Sequence, residues 1–214
     1  MHKIRVDIIS DVVCPWCYLG KAHLEKAIAL AGNQFEVEMH WYPFELNPEM
    51  PAAGMPFRQY LMDKFGDEAR IKKSIERLNS LGHEVGIAYH FDQIDHIPNT
   101  FEAHRLLFLA AGKPSQHTLA THLFEAYFER GEKVGDKDYL AKAALDLDVP
   151  TKTIKEFTNS DRGQKEILTL AQDYRESGIT AVPTYIFNQK FIIQGAQQSE
   201  GFLQIFHKLA NVGA

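Results

Sequence analysis

Ile4-Arg5-Val6-Asp7-Ile8-Ile9-Ser10-Asp11-Val12-Val13-Cys14-Pro15-Trp16-Cys17 decides how this chain folds. Its opening, Ile4 to Ile9, is rich in β-branched side chains and partly alternates, the pattern of a strand. Ser10 to Val13 form a short loop. From Cys14 to about Leu30 the pattern is helical. Tyr18, Leu19, Ala22, Leu24, Ala27, Ile28 and Ala31 include the three- and four-residue spacings of a buried face, and Gly32-Asn33 stops the run. Cys14 and Cys17 are the only 2 cysteines of the 214 residues. The pattern therefore sets a close cysteine pair at the start of a helix, directly after a strand.

A thiol in that place differs from an ordinary one. The free N–H groups and the positive end of the helix dipole favour an anion. A helix N-terminus can lower a cysteine pKa from ~8.5 by one to several units. Pro15 suits the first turn, where a missing N–H costs nothing. Cys17 lies one turn deeper and is expected to be less exposed, with a more normal pKa. Because the thiolate is the species that attacks disulfides, the asymmetry divides the roles. Cys14 attacks a substrate disulfide or is attacked; Cys17 resolves the mixed disulfide. A zinc site would need four ligands. The 10 histidines are dispersed, with only His23 near Cys14 in sequence, so no metal is expected.

Outward from this segment, Phe35 to Phe44 reads as a second strand: Val37, Met39 and Trp41 alternate with Glu36, Glu38 and His40. Strand, helix and strand of this length make a βαβ unit with parallel pairing. Pro43 to Pro56 is a proline-rich loop leaving the sheet. From Phe57 to about Gly178 almost everything reads as helix. Phe57–Leu81 is one long candidate ending at Gly82. Asn99 reads as the next N-cap, with Glu102 completing a capping box, and Pro114-Ser115 opens another helix. Further segments start near Asp136, Thr151 and Asp161. Thr184–Phe187 and Phe191–Ile193 are strand-like around an Asn188-Gln189 turn, although Gln suits its second place less well than Gly. Ser199 to Asn211 is a closing amphipathic helix. The order is βαβ, a helical block, then ββα. The expected organisation is one discontinuous domain, residues 1–56 and 179–214, with a helical insertion at 57–178.

Composition narrows the function. A net charge of −5 with no long basic run argues against nucleic acid or an anionic membrane as partner. No stretch approaches the roughly 20 apolar residues of a bilayer span. The N-terminus leads straight into a strand without the apolar core of a secretory signal, so the chain reads as cytoplasmic. In a reducing compartment a close cysteine pair is more often catalytic or metal-binding than structural.

Asp11-Val12-Val13-Cys14-Pro15-Trp16-Cys17-Tyr18-Leu19-Gly20-Lys21 resembles the active-site segment of the DsbA-like thioredoxin family, and most closely its cytoplasmic FrnE-like branch. Ile179-Thr180-Ala181-Val182-Pro183-Thr184, Gly195-Ala196-Gln197, and Asn99-Thr100 with His104-Arg105 are similar to that branch too. The resemblance covers essentially the whole chain. It implies an α/β thioredoxin-like fold with a large all-helical insertion. It also implies that Pro183 is cis and faces the cysteines, holding Val182 extended so that its backbone can pair with a substrate chain. The same superfamily contains 2-hydroxychromene-2-carboxylate isomerases and kappa-class glutathione transferases, which typically carry a serine where Cys14 stands. With both cysteines present, the resemblance implies a thiol–disulfide oxidoreductase. Its catalytic residues are Cys14 and Cys17, with Pro15, Trp16, Val182 and Pro183 at the substrate.

No organic cofactor is expected, since the cysteines carry the electrons; glutathione is a candidate redox partner or co-substrate. Substrates are disulfide- or thiol-containing proteins or small molecules, restored by glutathione or a thioredoxin system, on a monomer or homodimer. A glutathione-dependent isomerase or transferase and a chaperone-like binding module are the alternatives. Periplasmic relatives place a histidine between the cysteines, so Trp16 implies a less extreme thiolate and a less oxidising pair. Trp16 either caps the site as an exposed aromatic or tucks into the helical block. Lys21 and His23 are expected to face solvent. Asn99 reads as a helix cap, and His104 as a residue of the domain seam rather than of the site wall. The charges of Asp63–Arg77 read as a solvated helix face.

Overall fold

The computed structural model describes residues 1–147 and 149–212. Position 148 of the expected insertion and positions 213–214 of the closing segment lie outside the described residues. Strand β1 (His2–Ser10) is the hub of a four-stranded sheet ordered β2-β1-β5-β6. It pairs in parallel with β2 (Phe35–Pro43), Ile8 opposite Trp41, and antiparallel with β5 (Thr184–Phe187), Ile8 opposite Tyr185. Val6, Ile8 and Ile9 are all buried, as a strand covered on both faces requires. Between β1 and β2 the chain forms α1 (Pro15–Ala31), the crossover that parallel pairing demands.

Strand β6 (Phe191–Gln194) closes the sheet through a turn with both Asn188 (φ 48°) and Gln189 (φ 59°) left-handed. They are the two central residues of a primed turn closed by Lys190 N–H on the Phe187 carbonyl at 3.0 Å, inside a three-residue loop between the paired Phe187 and Phe191; the second place of such a turn favours glycine. Helix α9 (Ser199–Val212) then packs beside α1.

The middle of the chain is helical, with one addition. Strands β3 (Met55–Pro56) and β4 (His96–Ile97) pair as a small ribbon at the neck of the block. The long helix expected over Phe57–Leu81 is two helices, α2 (Phe57–Phe65) and α3 (Glu68–His83). Gly66 at φ 82° ends the first, and Asp67 starts the second by accepting from the Arg70 N–H at 2.9 Å. These are a helix stop and a helix start back to back.

Next come α4 (Phe101–Leu109), α5 (Ser115–Arg130), α6 (Lys137–Asp146), α7 (Thr151–Asn159) and α8 (Gln164–Glu176). Two helix starts differ from expectation. Thr100 occupies the cap position of α4, while Asn99 accepts from Phe101 N–H at 2.9 Å as an Asx turn. Glu102 pairs forward with Arg105 rather than back to a cap. Helix α8 begins after Gly163, three residues beyond Asp161. One hydrophobic core runs from Ile4 and Val6 of the sheet through Leu24 of α1 to Leu106, Leu123 and Phe128 of the middle helices. The block therefore shares an apolar core with the sheet and with α1.

Candidate active site

The site is built where β1 ends. The chain leaves the sheet at Ser10, and Cys14 N–H donates to the Asp11 carbonyl at 3.0 Å. Cys14 is the extended N-cap residue of α1 (φ −93°, ψ 112°) and Pro15 is its first helical residue. The Cys14 carbonyl accepts from Cys17 N–H at 3.0 Å and Tyr18 N–H at 3.2 Å. With no oxygen-bearing cap side chain at Cys14, its sulfur occupies the anion-favouring end of the helix.

Both thiols are free and both are buried, Cys14 at 4% and Cys17 at 1% exposure. The expected order of exposure holds, but by a narrow margin. Donation from the Cys17 thiol lowers the Cys14 pKa most, helped by the backbone N–H groups of Cys17 and Trp16. Burial and the Asp11 charge oppose that shift without cancelling it. Cys17 is pushed well up by burial and by its neighbour Cys14. The pair is thus polarised: the Cys14 thiol is made the more acidic and the Cys17 thiol the less.

The Val182–Pro183 peptide is cis and brings the loop before β5 against the cysteines. Cys14 Sγ lies 3.9 Å from the Val182 carbonyl, a weak S–H···O contact. The Pro183 carbonyl accepts from Gly195 N–H at 2.7 Å, and Thr184 Oγ1 donates to the Ala181 carbonyl at 2.7 Å, which pins the loop at both ends. On the opposite side Tyr89, in the loop after α3, donates its hydroxyl to the Pro15 carbonyl at 2.7 Å. The structure therefore brings Cys14, Pro15, Trp16, Cys17, Val182 and Pro183 together.

Trp16 takes a middle course between the two expected placements. Half-buried against the core, it carries the Arg77 guanidinium 5.3 Å over its ring, a cation–π contact. Arg77 is thus more than part of a solvated face, although most charges of that stretch are exposed.

Two expectations are corrected. Lys21 and His23 are buried, at 4% and 8% exposure. Helix α1 is covered on several sides, so amphipathic reasoning about one solvent face fails. Lys21 Nζ meets Glu25 at 2.8 Å; Glu25 also meets His117 Nε2 at 2.9 Å, and Trp41 Nε1–H donates to His117 Nδ1 at 3.2 Å. His23 Nδ1 faces Ser199 Oγ at 3.1 Å, tying α1 to α9.

Residues that sequence reasoning passed over crowd behind the cysteines. Asp11 is buried; its Oδ2 accepts from Leu46 N–H at 2.8 Å and its Oδ1 from Val13 N–H at 3.3 Å. His104, which the sequence suggested as a seam residue, is buried with its Nε2 3.5 Å from Asp11 Oδ1. Its alignment leaves that nitrogen without a hydrogen bond. The buried hydroxyls of Ser10 and Tyr185 also lack partners. Glu45 stands near Asp11 and His104, its carboxyl pushed up by burial. Among the described residues no group of three or more His, Cys, Asp and Glu could hold a metal.

The DSBA-like thioredoxin domain, as a family, matches residues 5–207. The chain belongs to that family. This DsbA-like chain is 30% identical over 204 residues to the uncharacterized protein YwbO of Bacillus subtilis, covering 93% of this chain and 94% of that protein. Its structure is similar to the probable DsbA oxidoreductase SCO1869 of Streptomyces coelicolor, at 27% identity and TM-score 0.83, over 96% of this chain and 89% of that one. The fold is also that of the cytosolic disulfide reductase DsbM of Pseudomonas aeruginosa, solved with GSH, at 12% identity and TM-score 0.64, over 97% and 99% of the two chains. No helix of the DsbA-like chain is long and apolar enough to cross a membrane, among the described residues.

Proposed function

We propose that this chain is a thiol–disulfide oxidoreductase in which Cys14 is the nucleophile and Cys17 the resolving thiol. The observation that carries the reading is the pair of free thiols at the N-terminus of α1, with Cys14 Sγ facing the Val182 carbonyl at 3.9 Å. The Cys14 thiolate attacks a substrate disulfide RS–SR, forming Cys14–S–S–R and releasing RS⁻. Cys17 then attacks Cys14 Sγ, releases the second RS⁻ and closes the Cys14–Cys17 disulfide. The two cysteines lose two electrons and the substrate gains them; the reverse sequence oxidises a dithiol. Pro15 and Trp16 form one wall for the substrate, and the Val182 backbone beside Pro183 offers an extended edge for a peptide chain.

The cysteines themselves carry the electrons, so the reaction needs no organic cofactor. Glutathione is the redox partner we favour, supported by the fold shared with a disulfide reductase solved with it. A cytoplasmic site of action fits the same neighbour. Insulin reduction in the presence of glutathione or dithiothreitol tests the reading. Cys14→Ser should abolish turnover, and Cys17→Ser should accumulate the mixed disulfide on Cys14. Unchanged turnover by Cys14→Ser would sink the mechanism. Glutathione-dependent turnover that survives loss of Cys17 would instead favour an isomerase or transferase.

A further inference from the structure

The closing step has a requirement that Cys14 does not meet. Cys17 is buried and holds its proton firmly, and it must lose that proton to attack. The proton needs a buried acceptor. Ser10 is the first candidate: its hydroxyl is the side chain that favours the Cys17 thiolate, and Ser10 Oγ is buried without a hydrogen-bond partner. Ser10 also lines a small cavity of about 10 Å³ between β1, β2 and the middle helices, and His104 is among its other lining residues. The remaining walls are largely apolar, including Trp41, Leu107 and Phe124. That volume is room for about one water molecule.

Buried polar atoms almost always have partners. Here two that lack them, Ser10 Oγ and His104 Nε2, belong to residues lining the same one-water space. Beyond His104 stands the Asp11 carboxylate, 3.5 Å from Nε2, placed to stabilise an imidazolium. Glu45 lies close enough to feel both charges, and Arg175 acts in turn on Glu45.

We propose that Ser10 and His104 form a proton relay for Cys17, bridged by a single water in this cavity. The inference rests on the oxidoreductase reading above. In the closing step the Cys17 thiol gives its proton to Ser10 Oγ, Ser10 gives its own to the water, and the water protonates His104 Nε2. The Cys17 sulfur, now a thiolate, attacks Cys14 Sγ; the Cys14–S–R bond breaks and RS⁻ leaves with the electron pair. The proton rests on His104 beside Asp11. In the opposite direction, when a thiolate attacks Cys14 of the disulfide, the relay returns the proton to the departing Cys17 sulfur. His104 never touches the reacting atoms; it acts through Ser10.

Stopped-flow reaction of the reduced protein with dithiobis(nitrobenzoate) separates the two steps. The first burst of coloured thiolate reports attack by Cys14, and the second reports closure by Cys17. In Ser10→Ala and His104→Gln the first burst should stay within about twofold of wild type while the second slows by about a hundredfold, the scale of a lost proton-transfer partner. Ser10→Thr, which keeps the hydroxyl, should restore the second burst. A second burst within about twofold of wild type in both variants overturns the relay. So does slowing of both bursts in parallel, which is the mark of a merely structural role. Ser10→Ala removes one oxygen only and keeps the test open where His104→Gln fails to fold. A wild-type protein that shows no second burst overturns the oxidoreductase reading itself, which separates the two failures.

Discussion

Cys14 owes its lowered pKa to hydrogen bonds more than to any nearby cation. The leading donor is the Cys17 thiol, and the only charge acting on it strongly, that of Asp11, pushes the other way. The sign of the pH effect follows. A lowered pKa moves the thiolate titration to lower pH, so alkylation of Cys14 should reach half its maximal rate at a lower pH than an ordinary free thiol does. The rate should fall as pH drops through that point. Cys17→Ala removes the leading donor and should shift the curve upward; iodoacetamide kinetics across pH measure both. Tyr89→Phe deletes the hydroxyl that donates to the Pro15 carbonyl and should cost about 1 kcal/mol in urea unfolding, the scale of one net hydrogen bond. The cysteines announce themselves by spacing. Tyr89 and Asp11 do not, because their importance lies in contacts across the fold: Tyr89 meets Pro15 over 74 positions.

At the level of elements, α1 and β5 are fitted to each other at one point. A Cβ on Gly20 would collide with the Tyr185 hydroxyl, while Tyr185 Cζ and Pro183 Cγ stand at an ordinary 3.4 Å. Gly20→Ala should therefore destabilise the protein by about 1–3 kcal/mol through overpacking. Adding Tyr185→Phe should recover most of the loss, since only the hydroxyl is in the way; a double-mutant cycle in denaturant checks the coupling. The turn before β6 carries a different defect. Gln189 holds φ 59°, a left-handed conformation costing an ordinary residue roughly 1–2 kcal/mol. Gln189→Gly should raise the unfolding midpoint, and an unchanged or lower midpoint counts against the primed turn. This turn was legible because Asn-Gln sits between two short apolar runs. The break between α2 and α3 was hidden because the helical periodicity continues across Gly66, and the adjacent stop and start leave almost no loop. The β3–β4 ribbon is too short, at two residues a strand, for any periodicity to show.

Across the whole molecule, the helical block is held to the sheet by more than apolar burial. Glu25 of α1 meets both Lys21 and His117, and His117 meets Trp41 of β2. Burial alone would raise the Glu25 pKa, but His117 and Lys21 prevail and it is lowered from 4.5. A carboxylate with a lowered folded pKa stabilises the fold above its unfolded value, and that contribution disappears as pH falls through the folded one. Glu25→Gln should thus flatten the acid limb of the stability curve below about pH 4.5; chemical denaturation at several pH values measures it. The overall α/β order was readable from strand, helix and strand signals at the two ends of the chain. The burial of Lys21 and His23 was not, because a helix covered on several sides has no single polar face to betray it. One consequence concerns how the chain is made. Strand β1 leaves the ribosome before the strands it pairs with, yet its neighbour β5 joins it at Val6 and Phe187, long after in the sequence. Such long-range pairing makes folding slow and exposes unpaired strand edges meanwhile. Throughout synthesis the cysteines stand on a nascent chain whose covering loop, at Val182 and Pro183, has yet to be translated. Until the last strands arrive, the two thiols of a newborn molecule are open to reagents that the finished fold, which buries both, holds off.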